Sequence, residues 1–494
     1  MSVNLVMVLG LAILLSGCGG GSSGSQSSGA DTSNVNSGSG SSGSSGTGST
    51  GSANTSAKLS GIYKGARIVL ESDLGVKTTI TENGTFQLQT SGAKDAIQVA
   101  QQPIGENCNV SSSVSGSGAS DSSSVSVNCS STLSVLYQFT GPKKAGSTNG
   151  QLAIDANGNL YGAAQTGGEN NAGVVYMISP AGVETDIYSF GQTATDGAAP
   201  QSGLLMDSTG NLYGTTKNGG TYGQGTVYRI NKDGTETILY SFGASSGDGS
   251  GVLFGVIQDA LGNLYGTTVS GGAYNQGTVY KLAPDGTETI LHSFNPGVNF
   301  DGFGPEGSLL LDGAGNLYGT TTGGGMLGGG LGTLYKIDAS GNYSILYSFG
   351  QTATDALVPQ AGVIMDSNGI LYGATTGGGL YGDGTVYTFN TATGVETVLY
   401  SFGATSIDGN QPKWELTMDS FGNLFGTTQL GGTNNLGTVF VVTPDGVESI
   451  VMSFDALVNG ACPQAGLLID STGNLYGTTV NGGGPGWGTV FEIQ

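Results

Sequence analysis

The stretch "MDSTGNLYGTT", residues 206–216, decides the fold because the chain repeats it. Residues 469–479 read "IDSTGNLYGTT". The shorter motif "GNLYG" begins at 158, 210, 262, 315 and 473, with "GILYG" at 369 and "GNLFG" at 422. Successive copies therefore begin 51 to 54 residues apart. A period of this length predicts a tandem array in which one small structural unit is repeated seven times.

Each copy contains four strand-like segments separated by turns. In the second copy they are "GLLMD", "NLYGTT", "GTVYRI" and "TETILYSF", and the turns are "STG", "KNGGTYGQ" and "NKDG". None of the segments has the length or periodicity of a helix. A four-stranded unit repeated at this spacing is typical of a β-propeller blade. We therefore predict an all-β protein with a seven-bladed β-propeller over residues 131–494.

The two ends of the array predict how the ring closes. The seventh copy stops at "GTVFEIQ", after its third segment, while "LSVLYQF" at 133–139 precedes the first copy and is similar to "TILYSF". We expect this N-terminal strand to complete the seventh blade. All blades would then have four strands, and no open strand edge would remain to aggregate.

Two repeated side chains have structural interpretations. An Asp precedes every "GNLYG" turn, where its carboxylate can cap backbone N–H groups two residues further on. One Phe per copy is expected to pack between blades, with a sugar-stacking surface as the alternative. The Asp residues are Asp155, Asp207, Asp259, Asp312, Asp366, Asp419 and Asp470, and the Phe residues are Phe139, Phe190, Phe242, Phe294, Phe349, Phe402 and Phe454.

The N-terminus has the features of an export signal. Residues 5–15 form an apolar run that is too short to span a bilayer. The run ends in Leu15-Ser16-Gly17-Cys18, which resembles the bacterial lipoprotein lipobox; a free Cys in an ordinary signal peptide is the alternative. The resemblance implies a signal peptide at 1–17, acylation of Cys18 and attachment to a lipid membrane. We expect an outer-membrane lipoprotein of the bacterial cell envelope, facing the periplasm or the cell surface.

Residues 18–57 and 58–130 differ sharply in composition. Residues 18–57 are nearly all Gly, Ser, Thr, Asn and Ala, which predicts a disordered tether behind the acylated cysteine. Residues 58–130 alternate apolar and polar side chains between turns, which predicts a small β-sandwich. Their pattern "LSG", "NGTF", "QP-x4-C" and "VxVxC" resembles an Ig-like module of bacterial envelope proteins. Cys108 and Cys129 would form a disulfide, worth about 3 kcal/mol for a loop of this length.

The repeat array resembles the GloVer-type tandem repeat of choice-of-anchor proteins. The resemblance rests on "LLMDSTGNLYGTTKNGGTYGQGTVYRINKDGTETILYSFG" and the later "DGAAPQSG", and it extends over about residues 131–494. It implies an exported and anchored propeller. The family pattern brings no catalytic residues with it.

Charge and residue types exclude several functions. The chain has 13 basic and 35 acidic residues, a net charge of −22, so nucleic acid is not an expected partner. Its single histidine, His292, stands where Tyr188, Tyr240, Tyr347 and Tyr400 stand in other copies, which indicates a packing substitute rather than a general base. Glycine runs such as "GGGMLGGG" lack the Lys and Ser/Thr of a phosphate-binding loop. We expect no catalytic residues and no cofactor.

One acidic set could still hold a metal. It stands eleven residues before the turn Asp and comprises Asp196, Asp248, Asp301, Asp355, Asp408 and Asn459, with Lys144 in the first copy. The loops that carry these residues would lie on one rim of the propeller. Turn capping is one interpretation, and weak Ca²⁺ binding by carboxylate and carbonyl oxygens is the other.

Together these features predict a monomeric, envelope-anchored protein that is not an enzyme. The propeller would present a surface for recognition of a protein or a glycan. The alternative is an extracellular polysaccharide hydrolase or lyase that uses acidic rim residues, whose paired carboxyls would have to lie about 5–10 Å apart. The sequence does not identify the ligand.

Overall fold

The computed structural model describes residues 53–91, 97–115, 122–141, 144–298, 300–326 and 330–494. Every regular element in these ranges is a β-strand, so the all-β prediction is confirmed. In these ranges the chain forms no helix of the length and apolarity needed to cross a membrane. The predicted signal peptide, Cys18 and most of the predicted tether lie outside the described residues.

The N-terminal part forms two small sheets from seven strands. They are β1 (Ala53–Ser60), β2 (Ile68–Ser72), β3 (Lys77–Ile80), β4 (Gly84–Thr90), β5 (Ile97–Gln101), β6 (Asn107–Ser115) and β7 (Ser122–Ser130). One sheet has the order β4-β1-β7-β6 and the other β3-β2-β5, and only β1 and β7 pair in parallel. Buried apolar side chains such as Leu59, Ile68 and Val127 fill the space between the sheets.

Two predictions concern these sheets. The structure joins Cys108 and Cys129 by a disulfide between directly opposite residues of β6 and β7, with their Cα atoms 3.9 Å apart. The predicted tether boundary is wrong, because β1 already begins at Ala53 and residues 53–57 pair with β4. Alternation of small residues hides this strand in the sequence: Thr55 and Ala57 are buried, yet neither is a strong apolar signal.

Seven similar sheets follow, here called repeat sheets 1 to 7. Sheet 1 consists of β9 (Gly146–Thr148), β10 (Ala153–Ile154), β11 (Leu160–Thr166), β12 (Val174–Ile178) and β13 (Glu184–Ser189). Sheet 2 consists of β14 (Gly197–Pro200), β15 (Leu205–Met206), β16 (Leu212–Gly219), β17 (Thr226–Ile230) and β18 (Glu236–Ser241). In both, the first strand is broken into two short pieces that pair with the second strand.

Sheets 3 to 5 follow the same antiparallel order, with the outer part of the first two strands forming a separate two-stranded ladder. Sheet 3 contains β19 (Gly249–Ser250), β20 (Ile257–Gln258), β21 (Leu264–Thr268), β22 (Ser270–Gly271), β23 (Thr278–Leu282) and β24 (Glu288–Ser293). Sheet 4 contains β25 (Gly302–Phe303), β26 (Leu310–Leu311), β27 (Leu317–Thr321), β28 (Gly323–Gly324), β29 (Thr333–Ile337) and β30 (Tyr343–Ser348). Sheet 5 contains β31 (Ala356–Leu357), β32 (Ile364–Met365), β33 (Ile370–Thr375), β34 (Gly377–Gly378), β35 (Thr385–Asn390) and β36 (Val395–Ser401).

The last two sheets differ in where their fourth strand comes from. Sheet 6 contains β37 (Gly409–Pro412), β38 (Thr417–Met418), β39 (Leu424–Gly431), β40 (Thr438–Val442) and β41 (Glu448–Ser453). Sheet 7 contains β42 (Ala461–Pro463), β43 (Leu468–Ile469), β44 (Leu475–Asn481), β45 (Thr489–Ile493) and the distant β8 (Leu133–Gln138). Ile493 lies opposite Leu133, and Thr489 lies opposite Gln138. The N-terminal strand therefore completes the seventh sheet.

Apolar side chains join each repeat sheet to the next. In the described residues one hydrophobic cluster lies at each of these contacts, and another lies between sheets 7 and 1, where Val490 packs with Leu160 and Tyr176. The repeated Phe is fully buried and meets an aromatic ring of the next sheet edge to face. Phe190 and Tyr228 are an example, with ring centroids 5.0 Å apart. These phenylalanines are thus unavailable for sugar stacking.

The turn Asp caps its own hairpin. Asp207 Oδ1 accepts hydrogen bonds from the N–H groups of Thr209 and Asn211, at 2.9 and 3.0 Å. Asp207 Oδ2 accepts from the Asn211 side chain and from Tyr213 Oη, at 2.9 and 3.3 Å. Burial alone would raise the pKa of Asp207, but these hydrogen bonds outweigh it and lower the pKa.

The N-terminal sheets pack against the hairpin turns of repeat sheets 6 and 7. Gly105 N–H donates to Gly473 O at 2.9 Å. The guanidinium of Arg67 lies 4.6 Å from the ring centroid of Phe421. The loops that carry Asp196 and its equivalents are at the opposite ends of the repeat strands. That opposite rim faces away from the N-terminal sheets.

Candidate functional site

The acidic rim residues singled out from the sequence are buried caps of their own loops. Asp248 is 7% exposed, and its Oδ2 accepts from Tyr240 Oη at 3.1 Å and from two N–H groups at 2.7 and 2.9 Å. Its Oδ1 accepts from Gly249 N–H at 2.7 Å. Asp196, Asp355 and Asp408 have the same kinds of contact.

These contacts argue against the Ca²⁺ hypothesis. The carboxylate oxygens that would bind a cation already accept hydrogen bonds within the loop, and each Asp lies in a separate loop. Among the described residues, no three His, Cys, Asp or Glu side chains come together in a way that could hold a metal ion. Capping is the interpretation that the structure supports for Asp196, Asp248, Asp301, Asp355, Asp408 and Asn459.

A glutamate from the following sheet faces most of these caps. Glu236 of sheet 2 faces Tyr188 of sheet 1 and Asp196, which lies in the loop between the two sheets, and the same arrangement occurs at Glu288, Glu396 and Glu448. Burial, followed by the neighbouring Asp charge, raises the pKa of these four glutamates to about 7. Each has a buried Oε1 without a hydrogen-bond partner in the described residues. Four sheet interfaces therefore contain a carboxyl pair.

The remaining interfaces replace this pair. Lys144 occupies the Asp position before sheet 1 and forms an ion pair with Glu184, with Nζ and Oε2 2.7 Å apart. His292 replaces Tyr, lies 2.9 Å from Asp301 Oδ2 and stacks on Tyr343, which stands where other sheets have Glu. His292 is therefore the packing substitute that the sequence predicts. Between sheets 6 and 7 the corresponding residues are the uncharged Met452, Asn459 and Leu133.

A central cavity lies where the broken first strands of the repeat sheets meet. Its volume is about 500 Å³, and six of the seven first strands contribute three or more lining residues. Glycines in these first strands allow neighbouring strands to approach each other closely. A Cβ atom at Gly362 would come within 2.6 Å of Ser308 O, and one at Gly150 within 2.3 Å of Ser202 O. The cavity wall is therefore mostly backbone and small side chains.

Five larger side chains break this pattern. Four residues before the turn Asp, four copies have Gly, whereas the others have Gln151, Ser308 and Glu415. One position earlier, five copies have Gly, Ala or Ser, whereas the others have Phe254 and Trp414. All five side chains line the cavity although they come from sheets 1, 3, 4 and 6.

The five side chains are in contact with one another or with neighbouring strands. The ring centroids of Phe254 and Trp414 are 6.5 Å apart, with the planes inclined by 46°. Ser308 Oγ donates to Glu415 Oε1, and Gln151 Nε2 donates to Leu467 O at 2.9 Å. Burial raises the pKa of Glu415.

Two buried polar atoms at the cavity lack a partner in the described part of the chain. They are the Trp414 indole Nε1, a donor, and Asn149 Oδ1, an acceptor on a side chain that is 8% exposed. A buried polar group without a partner is costly, so such groups usually meet water or a ligand. The cavity thus offers an aromatic face, a carboxyl group and amide groups at one place.

Comparison with known proteins identifies the repeat. The family model of the Gloeobacter/Verrucomicrobia repeat matches residues 99–331 and 305–494. The chain belongs to this repeat family, and the predicted resemblance of the array is confirmed. The search of curated proteins found no match.

Among solved structures, the chain is similar to an oligogalacturonate lyase from Vibrio parahaemolyticus. The two share 10% sequence identity with a TM-score of 0.45, over 78% of this chain and 97% of the lyase chain.

The sequence prediction missed the cavity residues. It was based on residues that occur in every copy, and such residues indicate what every sheet needs for folding. The signal for the cavity was the opposite one, namely Gln151, Phe254, Ser308, Trp414 and Glu415 at positions where most copies have small residues. Cys18, the predicted lipidation residue, lies outside the described residues.

Proposed function

We propose that this protein is a non-enzymatic recognition protein of the bacterial envelope. Its seven repeat sheets are the blades of a β-propeller closed by β8, residues 58–130 with the start of β1 form an Ig-like module, and acylated Cys18 attaches the tether to a lipid membrane. It works as a monomer and binds its ligand in the central cavity. Nucleic acid is not a partner because the chain is strongly acidic.

The observation that carries the proposal is the cavity itself. Side chains that depart from the repeat collect in one cavity of about 500 Å³, within the range of about 300–1,000 Å³ for small-molecule sites. Folding does not need them, since other copies manage with Gly, Ala or Ser at the same positions. Binding of one ligand would explain why these side chains lie in the same cavity.

The anchor and the Ig-like module support the same picture. The N-terminal sheets contact the hairpin-turn end of sheets 6 and 7, so they leave the opposite rim of the repeat sheets uncovered.

Trp414 provides a direct test. The chain has two tryptophans, Trp414 in the cavity and the rim residue Trp487, so Trp487→Phe makes Trp414 the single fluorescent reporter. We would titrate this variant with a panel of saccharides, peptides and nucleosides, recording emission and Tm. Saturable change in emission with a raised Tm for one class supports the proposal. If no compound of the panel changes the emission saturably and raises Tm, binding in the cavity is contradicted.

The same titration examines the alternative of a polysaccharide hydrolase or lyase. Its proposed acidic rim residues are engaged in loop capping, and an enzyme would instead have to use Glu415, the carboxyl group among the residues that line the cavity. Mass spectrometry of each bound saccharide after incubation would detect cleavage. Products that disappear on Glu415→Gln would replace the binding function with an enzymatic one.

A further inference from the structure

We propose that the cavity binds a neutral saccharide, whose ring stacks on Trp414 and Phe254 while its hydroxyl groups bond to Gln151, Glu415 and Asn149. This inference rests on the proposed function and names its ligand class.

The aromatic pair indicates the shape of the ligand. Phe254 and Trp414 are the large aromatic side chains of the cavity, and they come from sheets 3 and 6. Their inclined rings, with centroids 6.5 Å apart, form a joint apolar surface rather than a deep slot. A pyranose ring has a flat face of C–H groups that can stack on such a surface. Its hydroxyl groups project from the ring edge, where they remain free to form hydrogen bonds.

The polar groups indicate the ligand's hydrogen-bonding character. Trp414 Nε1 is a buried donor and Asn149 Oδ1 a buried acceptor, and both lack a partner in the described residues. Glu415 and Gln151 add groups of both kinds. A hydroxyl group donates one hydrogen bond and accepts others, so a ligand rich in hydroxyl groups satisfies donors and acceptors that lie close together.

Charge argues for a neutral ligand. Glu415 is the charged side chain among the described residues that line the cavity, and no basic side chain is among them. With a net charge of −22 on the chain, an anionic sugar would be repelled.

The repeat itself supplies variants that are compatible with the fold. Ala stands at the Trp414 position in copies 5 and 7, as Ala361 and Ala465, and Gly stands at the Gln151 position in copy 2, as Gly203. Trp414→Ala and Gln151→Gly therefore copy residues that the other sheets already accept. Their Tm should stay near that of the parent protein.

The experiment is calorimetric titration with cellobiose, maltose and di-N-acetylchitobiose, with digalacturonate and adenosine as the anionic and nucleoside arms. We expect at least one neutral disaccharide to bind, at least tenfold more tightly than digalacturonate. Trp414→Ala and Gln151→Gly should each weaken it at least tenfold, and Trp414→Phe should weaken it less. Trp487→Phe, which changes a rim residue, is the matched control and should bind like the parent.

The outcomes separate this inference from the proposed function. If adenosine or digalacturonate binds and Trp414→Ala abolishes that binding, the cavity is a ligand site and only the inference of a neutral saccharide is overturned. If disaccharides bind equally to the parent and to both cavity variants, the site is elsewhere and this inference fails. If nothing in the wider panel reaches the cavity, both fail together.

Discussion

At the scale of single residues, the second glycine of "GNLYG" is required by a tyrosine of the same sheet. A Cβ atom at Gly214 would lie 2.4 Å from Tyr228 Oη, and the other copies show the same approach. Tyr228 is fully buried, and its hydroxyl group has no partner in the described residues. Sheets 6 and 7 have Phe440 and Phe491 at this position. The ring is needed here, whereas the hydroxyl group is dispensable.

This contact predicts opposite results for two small changes in one sheet. Gly214→Ala forces a methyl group into the Tyr228 ring and should cost about 1–3 kcal/mol of unfolding free energy. Tyr228→Phe removes an unpaired buried hydroxyl group and should leave stability within about 1 kcal/mol of the parent, or raise it. Denaturant unfolding of both variants measures this. A strongly destabilised Tyr228→Phe would show that the hydroxyl group has a bound partner, such as water.

At the scale of elements, the stability of the contacts between neighbouring sheets depends on the protonation of buried glutamates. Four interfaces hold an Asp that caps a loop and a Glu whose pKa is raised to about 7 by burial and by that Asp. In the unfolded chain a glutamate has its ordinary pKa near 4.3. The folded state therefore holds more protons between these values, and its stability falls as the pH rises through 7.

We predict that Tm is higher at pH 5 than at pH 8. Five of the turn caps act in the other direction at lower pH: hydrogen bonds lower the pKa of Asp155, Asp207, Asp259, Asp312 and Asp470, so their contribution is lost as the pH falls below about 4. Maximum stability should thus lie between about pH 4 and pH 5. Thermal melts from pH 3 to pH 9 measure both limits.

A fourfold variant tests whether the buried glutamates cause the loss of stability at high pH. Replacing Glu236, Glu288, Glu396 and Glu448 by Gln removes four of the titrating groups while keeping their size, so the fall in Tm between pH 5 and pH 8 should become much smaller; burial also raises the pKa of Glu106 to about 7, and that group remains. Glu82→Gln, on an exposed turn of the N-terminal part, is the control and should keep the parent slope. An unchanged slope in the fourfold variant would contradict the assignment.

At the scale of the whole molecule, closure depends on one strand from far away in the sequence. β8 pairs along β45, and Phe139, which follows it, is fully buried with Leu152 and Tyr176 of sheet 1. Thr478 Oγ1 donates to Thr148 O at 3.4 Å, which adds a polar contact between the last sheet and the first. The ends of the repeat array therefore hold each other.

Deleting residues 133–139 should cause a large loss of stability and aggregation, because it exposes the edge of β45 and uncovers apolar surface. Placing the same residues after Gln494, behind a five-residue turn like 231–235 between β17 and β18, should restore Tm and the monomer. Both variants lack the lipid signal and are compared by thermal melts and light scattering. A deletion variant that melts like the parent and stays monomeric would refute closure.

The anchor gives a prediction for the intact chain in its host. Cys18→Ala removes the thiol that would be acylated and should release the protein from the membrane fraction, because the acyl chains are what would hold it there. Fractionation and immunoblotting compare the variant with the parent. Membrane association of a correctly processed Cys18→Ala protein would contradict lipid attachment, while Ser16→Thr should leave the parent behaviour unchanged.

The sequence by itself determined what each copy builds from local contacts. Asp207 caps a turn made by its own neighbours, and the alternation and spacing of the segments specify strands, hairpins and their number. The similarity of 133–139 to the other fourth strands also located β8 in advance. These features were predictable because the partners of each residue are within a few positions or are repeated in every copy.

The tertiary structure alone decided which carboxyls are buried and which side chains meet. Asp196 and Glu236 are 40 positions apart in the sequence, and their shared environment exists only after the sheets pack. The cavity unites Gln151 and Trp414, which are 263 positions apart in the sequence. Burial and proximity of this kind depend on the whole ring, since desolvation and the neighbouring charges come from strands that the local sequence does not specify.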